Sequence, residues 1–165
     1  MTDVGELSWC LGVRIKRNRK QGTISIDKRK YAANILKKFG MEHCNPFAYP
    51  FESDSKLQKC ENKLTDEENL VLHRIPYQQA VGSLLYLAQS TRPDIAYAVG
   101  VLSRFNSNYR NIHWEAVKRI IRYIKGTVNV GLTFRKSGTT EIEGFCDADY
   151  ASDLHQRLST VIPSS

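Results

Sequence analysis

The sequence predicts an α+β fold, with an N-terminal β-hairpin and helix, a middle unit of three helices and a pair of strands at the end. Three observations lead to this prediction. Apolar residues alternate with polar ones near the amino terminus, recur every three or four residues in the middle, and alternate again towards the carboxyl end. We therefore divide the chain into residues 1–75, 76–128 and 129–165.

The hairpin is predicted from residues 9–26. Leu11, Val13 and Ile15 alternate with glycine and basic residues, which is the pattern of a strand with one buried face. Residues 18–22 have the composition of a turn, and the alternation resumes directly after them. Both strands should therefore pair within this short stretch.

A short helix should follow the hairpin. Asp27 can accept hydrogen bonds from the free amides at a helix start, and Tyr31, Ile35 and Phe39 recur at a spacing of four. Gly40 suits the helix end. The remainder of the first region, through residue 75, has no periodicity and contains an acidic run, so we predict a long, mobile connection there.

Three helices are predicted for the middle region. Pro93 is tolerated in the first turn of the second helix, Asp94 favours its positive end, and Gly126 terminates the third. The apolar stripes comprise Val81, Leu84, Leu85 and Ala88 in the first helix, Ile95, Val99 and Leu102 in the second, and Trp114, Val117, Ile121 and Ile124 in the third. These stripes should bury one another.

A basic stripe lies on another face of the third helix. Lys118, Arg122 and Lys125 fall at i, i+4 and i+7. The net charge is +7, and residues 1–40 and 104–136 each carry a charge of +7 that acidic segments offset. Such blocks suit a polyanion such as nucleic acid, although solvated basic faces are common.

Other candidates have structural explanations that compete with functional ones. Arg92 precedes a proline and can support a helix end or contact a phosphate; we favour the structural role. His113 and Trp114 can cap and pack the third helix or stack on bases, and packing is again favoured.

The carboxyl-terminal region should contain strands at residues 131–135 and 141–146. Nothing in the sequence suggests further elements to complete their sheet, so we expect an unfinished domain without a sheet of its own. The four cysteines lack metal-binding spacing, which argues against a zinc site. No apolar run of the length needed to cross a membrane is present, so no membrane partner is expected.

Several motifs resemble the polymerase region of copia-type retrotransposon Pol polyproteins. The matching segments are Tyr77 followed by Val81-Gly82-Ser83-Leu84-Leu85-Tyr86-Leu87, Thr91 to Val99, His113 to Lys118, Arg122 to Thr127, and Gly144 to Ala151. The order of these segments is also that of the family, and the resemblance extends over about residues 3–160. The resemblance implies the end of a reverse transcriptase, a helical thumb-like or connection unit, and a truncated ribonuclease H-like strand pair.

The resemblance also implies functional residues. Asp147 would be the first metal-binding carboxylate of a ribonuclease H site that uses Mg²⁺, and Asp149 a weaker candidate for the same metal. Lys118, Arg122 and Lys125 would contact the phosphates of an RNA/DNA hybrid or duplex. The family's paired polymerase aspartates should lie before Met1, and the sequence departs from the family pattern after Thr160, so we expect no complete active site.

Three hypotheses remain open from the sequence. The first is a polymerase segment that grips a hybrid within a larger Pol polyprotein, with an intracellular location in a virus-like particle or the nucleus. The second is a stand-alone basic nucleic-acid-binding module. The third is an inert relic of a decayed element.

Overall fold

An antiparallel sheet forms near the amino terminus in this computed structural model, which describes residues 5–51, 57, 72 and 74–136. The structure contains both helices and a sheet. The described strands are β1 (Trp9–Cys10), β2 (Val13–Asn18), β3 (Thr23–Asp27) and β4 (Leu132–Arg135), and they lie in that order across the sheet.

The first strand predicted from the sequence is interrupted by a turn. Cys10 pairs with Val13, and the two residues between them both have positive φ, 47° for Leu11 and 77° for Gly12. Two positive φ values in a two-residue loop match the twist of a tight hairpin, and glycine adopts one of them without a steric penalty. Leu11 is therefore 90% exposed, and its predicted position on the buried face was wrong.

The second turn agrees with the prediction. Asn18 pairs with Thr23, and the Asn18 side chain accepts a hydrogen bond from the Gln21 amide at 3.1 Å. Gly22 supplies the left-handed conformation at φ 60°. The hairpin of β2 and β3 is thus confirmed.

Strand β4 joins this amino-terminal sheet. It pairs with β3 in the register Ile26 with Leu132 and Ile24 with Phe134. The expectation that the carboxyl-terminal strands lack a sheet was therefore wrong for residues 132–135, because sequence periodicity does not reveal a partner more than one hundred positions away. The second predicted strand, 141–146, lies outside the described residues.

Helix α1 (Arg29–Lys38) begins directly after the hairpin. As predicted, Asp27 accepts a hydrogen bond from a first-turn amide, that of Arg29, at 3.3 Å. Gly40, at φ 65°, allows the Met41 amide to donate back to the Leu36 carbonyl at 2.8 Å, which closes the helix end. Residues 41–51 then follow without helix or strand, and the rest of the predicted connection lies largely outside the described part.

The helical unit consists of α2 (Tyr77–Thr91), a 3₁₀ turn (Pro93–Ile95), α3 (Ala96–Ser103) and α4 (Asn111–Gly126). All three predicted helices are present, with the proline in the 3₁₀ turn at the start of the second. Each helix packs against the other two, and α1 packs against α2 and α4. The predicted stripes form the core, except that Leu85 and Trp114 are only half-buried.

The close approach of β4 to β3 predicts a position-specific response to alanine. A Cβ on Gly131 would lie 2.4 Å from the Ile26 carbonyl oxygen and 2.8 Å from the Asp27 Cβ, so Gly131→Ala must displace backbone. We expect a loss of roughly 1–3 kcal/mol in the free energy of unfolding, measured by urea denaturation.

Gly82 in α2 provides the matched control. A Cβ there meets no atom within 4 Å, so Gly82→Ala should stabilise the helix by about 0.5–1 kcal/mol. Equal effects of the two substitutions would contradict the predicted clash at Gly131.

Candidate nucleic-acid interface

Helix α4 is capped and anchored at its amino terminus by His113. The Nδ1 atom of His113 accepts a hydrogen bond from the Arg110 amide at 2.9 Å. The ring is fully buried and stacks on Phe105 with centroids 4.1 Å apart. Trp114 is half-buried and meets the Phe39 ring edge-on at 6.5 Å. The predicted capping and packing roles are confirmed for these two residues.

The buried face of α4 determines where its cations lie. Val117, Ile121 and Ile124 are fully buried, so residues on other sides of the helix lie at or near the surface. Lys118 is half-buried, and its Nζ forms an ion pair with Glu115 at 2.7 Å. Lys125 is exposed in the last turn. The two lysines of the predicted stripe therefore differ in their electrostatic surroundings.

Arg122 makes contacts that the sequence did not predict. Its Nε donates to the Asn45 carbonyl at 2.7 Å, and its guanidinium lies 4.2 Å from the centroid of the Phe47 ring. The Phe47 amide in turn donates to the Arg122 carbonyl at 3.3 Å. Residues 45–47 are thus held along α4 by reciprocal contacts with one arginine.

Arg119, about one turn before Arg122 in α4, also contacts Phe47. Its guanidinium lies 4.3 Å from the same Phe47 centroid, so one ring contacts two arginines. Arg119 was not predicted from the sequence, because it stands one position outside the regular basic stripe. Phe47 was not predicted either, because an irregular segment has no periodicity that reports its packing.

Arg92 forms a buried clamp between the start of the 3₁₀ turn and the end of α4. It is 1% exposed, and its Nε and Nη2 bind the Asp94 carboxylate at 2.9 and 2.7 Å. Nη1 donates to the Thr127 carbonyl at 3.0 Å and Nη2 to its hydroxyl at 2.7 Å. The structural role predicted for Arg92 is confirmed.

Tyr123 binds the same carboxylate, and this contact alters the pKa of both groups. Its hydroxyl donates to Asp94 at 2.9 Å, and its ring lies 5.5 Å from the Arg92 guanidinium. Burial alone would raise the pKa of Asp94, but the hydrogen bonds from Arg92 and Tyr123 and the charge of Arg92 outweigh it and lower that pKa. Burial and the Asp94 carboxylate raise the pKa of Tyr123.

The amino-terminal basic block is only partly paired. Arg14 binds Asp27 at 2.8 Å, and Arg19 binds Glu6 at the same distance on the surface. Lys16, Arg17 and Lys20 are exposed on or beside β2. A second cationic surface is therefore available on the hairpin.

The predicted metal ligands Asp147 and Asp149 lie outside the described residues. Within residues 5–51 and 74–136, together with Leu57 and Leu72, no group of three or more histidine, cysteine or acidic side chains could hold a metal ion. No helix in this part of the chain is long and apolar enough to cross a membrane.

The sequence is similar to segments of transposon polyproteins. It is 41% identical over 160 residues to the Retrovirus-related Pol polyprotein from transposon TNT 1-94 of Nicotiana tabacum, covering 97% of this chain. The corresponding polyprotein from transposon RE1 of Arabidopsis thaliana is 36% identical over 159 residues, covering 96% of this chain. The uncharacterized mitochondrial protein AtMg00810 of the same plant is 31% identical over 160 residues and 97% of this chain. Homology to retrotransposon Pol polyproteins is therefore confirmed.

The chain spans 12% of the first polyprotein, 10% of the second and 62% of the mitochondrial protein. No family model matches the sequence, and no solved structure matches it. The more specific assignment, to the end of a reverse transcriptase and the start of ribonuclease H, remains a prediction.

The Asp94 clamp predicts a defined pH dependence of stability. Because the folded pKa of Asp94 is below its usual 3.8, the carboxylate stabilises the fold above that pH and loses this contribution as the pH falls through the folded value. Asp94→Asn should lower the free energy of unfolding at pH 7 and flatten its decline between about pH 5 and 2.

Urea denaturation across this pH range measures the effect, and Glu115→Gln is the control. Glu115 is exposed and its ion pair with Lys118 lies at the surface, so its loss should change stability by less than about 1 kcal/mol. An Asp94→Asn profile parallel to that of the original protein would show that the clamp does not control acid stability.

Proposed function

We propose that this chain is the end of the reverse transcriptase and the start of the ribonuclease H region of a retrotransposon Pol polyprotein. Its helical unit would hold the template-primer hybrid, or a duplex, through phosphates. The observation that carries the proposal is the homology to transposon Pol polyproteins over nearly the whole chain. The cations on the outward side of α4 would contact the phosphates.

The way in which α4 is held in the fold supports a binding role. The helix is fixed by its apolar face and by the Arg92 clamp at its end, so its cations are presented on a rigid support. Lysine and arginine neutralise phosphates and release condensed counterions, which gives affinity without base selectivity. Lys125 is exposed, and among the described residues Lys118 is paired with Glu115 at the surface. Arg122 has further donors beyond the one bound to Asn45.

The parent polyprotein would supply the remaining parts. We propose that Asp147, and less directly Asp149, would contribute to a ribonuclease H site in which Mg²⁺ stabilises the charge on the cleaved phosphate. The partners would be the nucleic acid and the rest of Pol, in a virus-like particle or the nucleus.

A second candidate function rests on the hairpin. Lys16, Arg17 and Lys20 are exposed and close together in sequence, so nucleic-acid binding could belong to a separate basic module at this end. Measurements on variants of the two surfaces separate these alternatives.

The isolated chain is expected to lack catalytic activity. Two-metal polymerase chemistry needs converging carboxylates, and the sequence contains no adjacent pair of aspartates. We expect no primer extension and no hybrid cleavage with Mg²⁺ or Mn²⁺, measured on labelled oligonucleotides. Cleavage that is present in the pure chain and absent in Asp147→Asn would contradict this expectation.

Removal of the α4 lysines should weaken nucleic-acid binding. Lys118→Gln combined with Lys125→Gln preserves the buried face and the helix propensity while removing two cations. If both contact phosphates, affinity for an RNA/DNA hybrid should fall, and the slope of log affinity against log salt should become shallower by about 2. Fluorescence anisotropy over a salt series measures both quantities.

The matched control is Lys37→Gln with Lys38→Gln, which removes two exposed lysines from the last turn of α1. It should change the slope much less. Equal effects of the two double variants would indicate only a general charge effect, and no effect of the α4 pair in a folded protein would favour the hairpin surface.

A further inference from the structure

A groove runs between α4 and the irregular segment after α1. It has a volume of about 630 Å³, within the range of roughly 300–1,000 Å³ typical of small-molecule sites. Met41, Phe51, Ile112 and Ala116 contribute apolar surface to it. An apolar wall of this kind suits a flat aromatic group better than a fully hydrated ion.

Cations lie along the same groove. Lys118, Arg119 and Arg122 line it, and Glu115 is the acidic residue among its described lining. Among the described lining residues, three cations therefore stand against one carboxylate, which is paired with Lys118. The ligand that matches both features carries an anionic group next to an apolar ring.

Phe47 fixes the two guanidinium groups. Its ring centroid lies 4.3 Å from the Arg119 guanidinium and 4.2 Å from that of Arg122. Stacking occupies the face of a guanidinium, whereas its N–H donors lie in the plane and are directed towards oxygen acceptors. The Nε of Arg122 is used by the Asn45 carbonyl, so its terminal amino groups would meet a ligand. Two arginines that contact one ring lose less side-chain freedom when they bind a common anion such as a phosphate.

We propose that this groove binds one unpaired nucleotide of single-stranded nucleic acid, with its phosphate on Arg119 and Arg122 and its base against the apolar wall. Phe47 acts as a positioning residue for the two arginines. The proposal rests on the proposed nucleic-acid-binding function and makes it more specific. A duplex cannot use the apolar wall, because its bases are paired and stacked inside the helix, whereas single strands present bases for packing.

The test compares three labelled probes by fluorescence anisotropy: a single-stranded 12-mer of deoxythymidine, the same strand hybridised to its RNA complement, and an abasic strand of equal length. The variants of the full chain are Arg119→Gln, Phe47→Leu and Phe47→Tyr. Arg135→Gln and Phe134→Leu are matched controls, because both residues are exposed on β4. Thermal melting of every variant separates stability from binding.

Arg119→Gln should weaken single-strand binding about tenfold and make the salt slope shallower by about 0.7. Phe47→Leu should weaken single-strand binding about three- to tenfold with little change in the salt slope, because both charges remain. Phe47→Tyr should keep the original affinity, because the aromatic ring is retained. The abasic strand should bind the original chain more weakly than the 12-mer does. Phe47→Leu should weaken its binding by a similar factor, because its phosphate still depends on the two positioned arginines. The controls should remain near the original affinity.

Several outcomes would overturn the proposal. Equal weakening of single strand and hybrid would reduce the groove to a general phosphate contact. A Phe47→Leu chain that melts earlier and binds normally would make Phe47 merely structural. The groove proposal alone fails if Arg119→Gln and Phe47→Leu have no effect while the Lys118 and Lys125 double variant weakens hybrid binding. If the double variant also has no effect on binding, both the groove proposal and the proposed function fail.

Discussion

A single buried guanidinium connects the parts of this protein that are distant in sequence. Arg92 binds Asp94 in the 3₁₀ turn, and it also binds the carbonyl and hydroxyl of Thr127 just beyond α4. Because a buried charge must be compensated, this site tolerates little displacement of either chain segment. The end of α4 and the start of α3 are therefore fixed relative to each other, with Tyr123 hydrogen-bonded to the same carboxylate.

The clamp also lies at the point where the chain leaves the helices for the sheet. Thr127 follows directly after α4, and within a few residues Gly131 passes against the Ile26 carbonyl so that β4 can pair with β3. On the outer side of the same helix, Arg119 and Arg122 hold Phe47. The carboxyl end of α4 is thus joined to the core and the sheet, while its outer face presents cations beside an apolar groove.

The sequence predicts most of the helical unit because burial imposes a regular spacing on its residues. Val117, Ile121 and Ile124 reveal the inner face of α4 without any knowledge of the neighbouring helices. The turn at Leu11 and Gly12 escaped prediction because apolar alternation continues through it, and a left-handed leucine has no sequence signature.

The candidate site was less predictable than the fold. The basic stripe was visible as a helical pattern, but its division into paired Lys118, bound Arg122 and exposed Lys125 depends on residues from other segments. Phe47 and the β3–β4 pairing are contacts of high sequence separation, which local patterns do not encode. Arg92 was interpreted correctly because a residue between two packed helices has few other ways to satisfy its charge.

The pairing of β3 with β4 also has a consequence for the order of folding. Ser25 and Thr133, whose hydroxyls lie 2.9 Å apart, are 108 positions apart in the chain. Contacts that close such long loops form slowly and only after local structure has reduced the entropy of closure. On a ribosome, the hairpin and then the helices emerge before β4, so the edge of β3 remains unpaired until β4 has been synthesised. Until then, that open edge can pair with a strand of a second molecule.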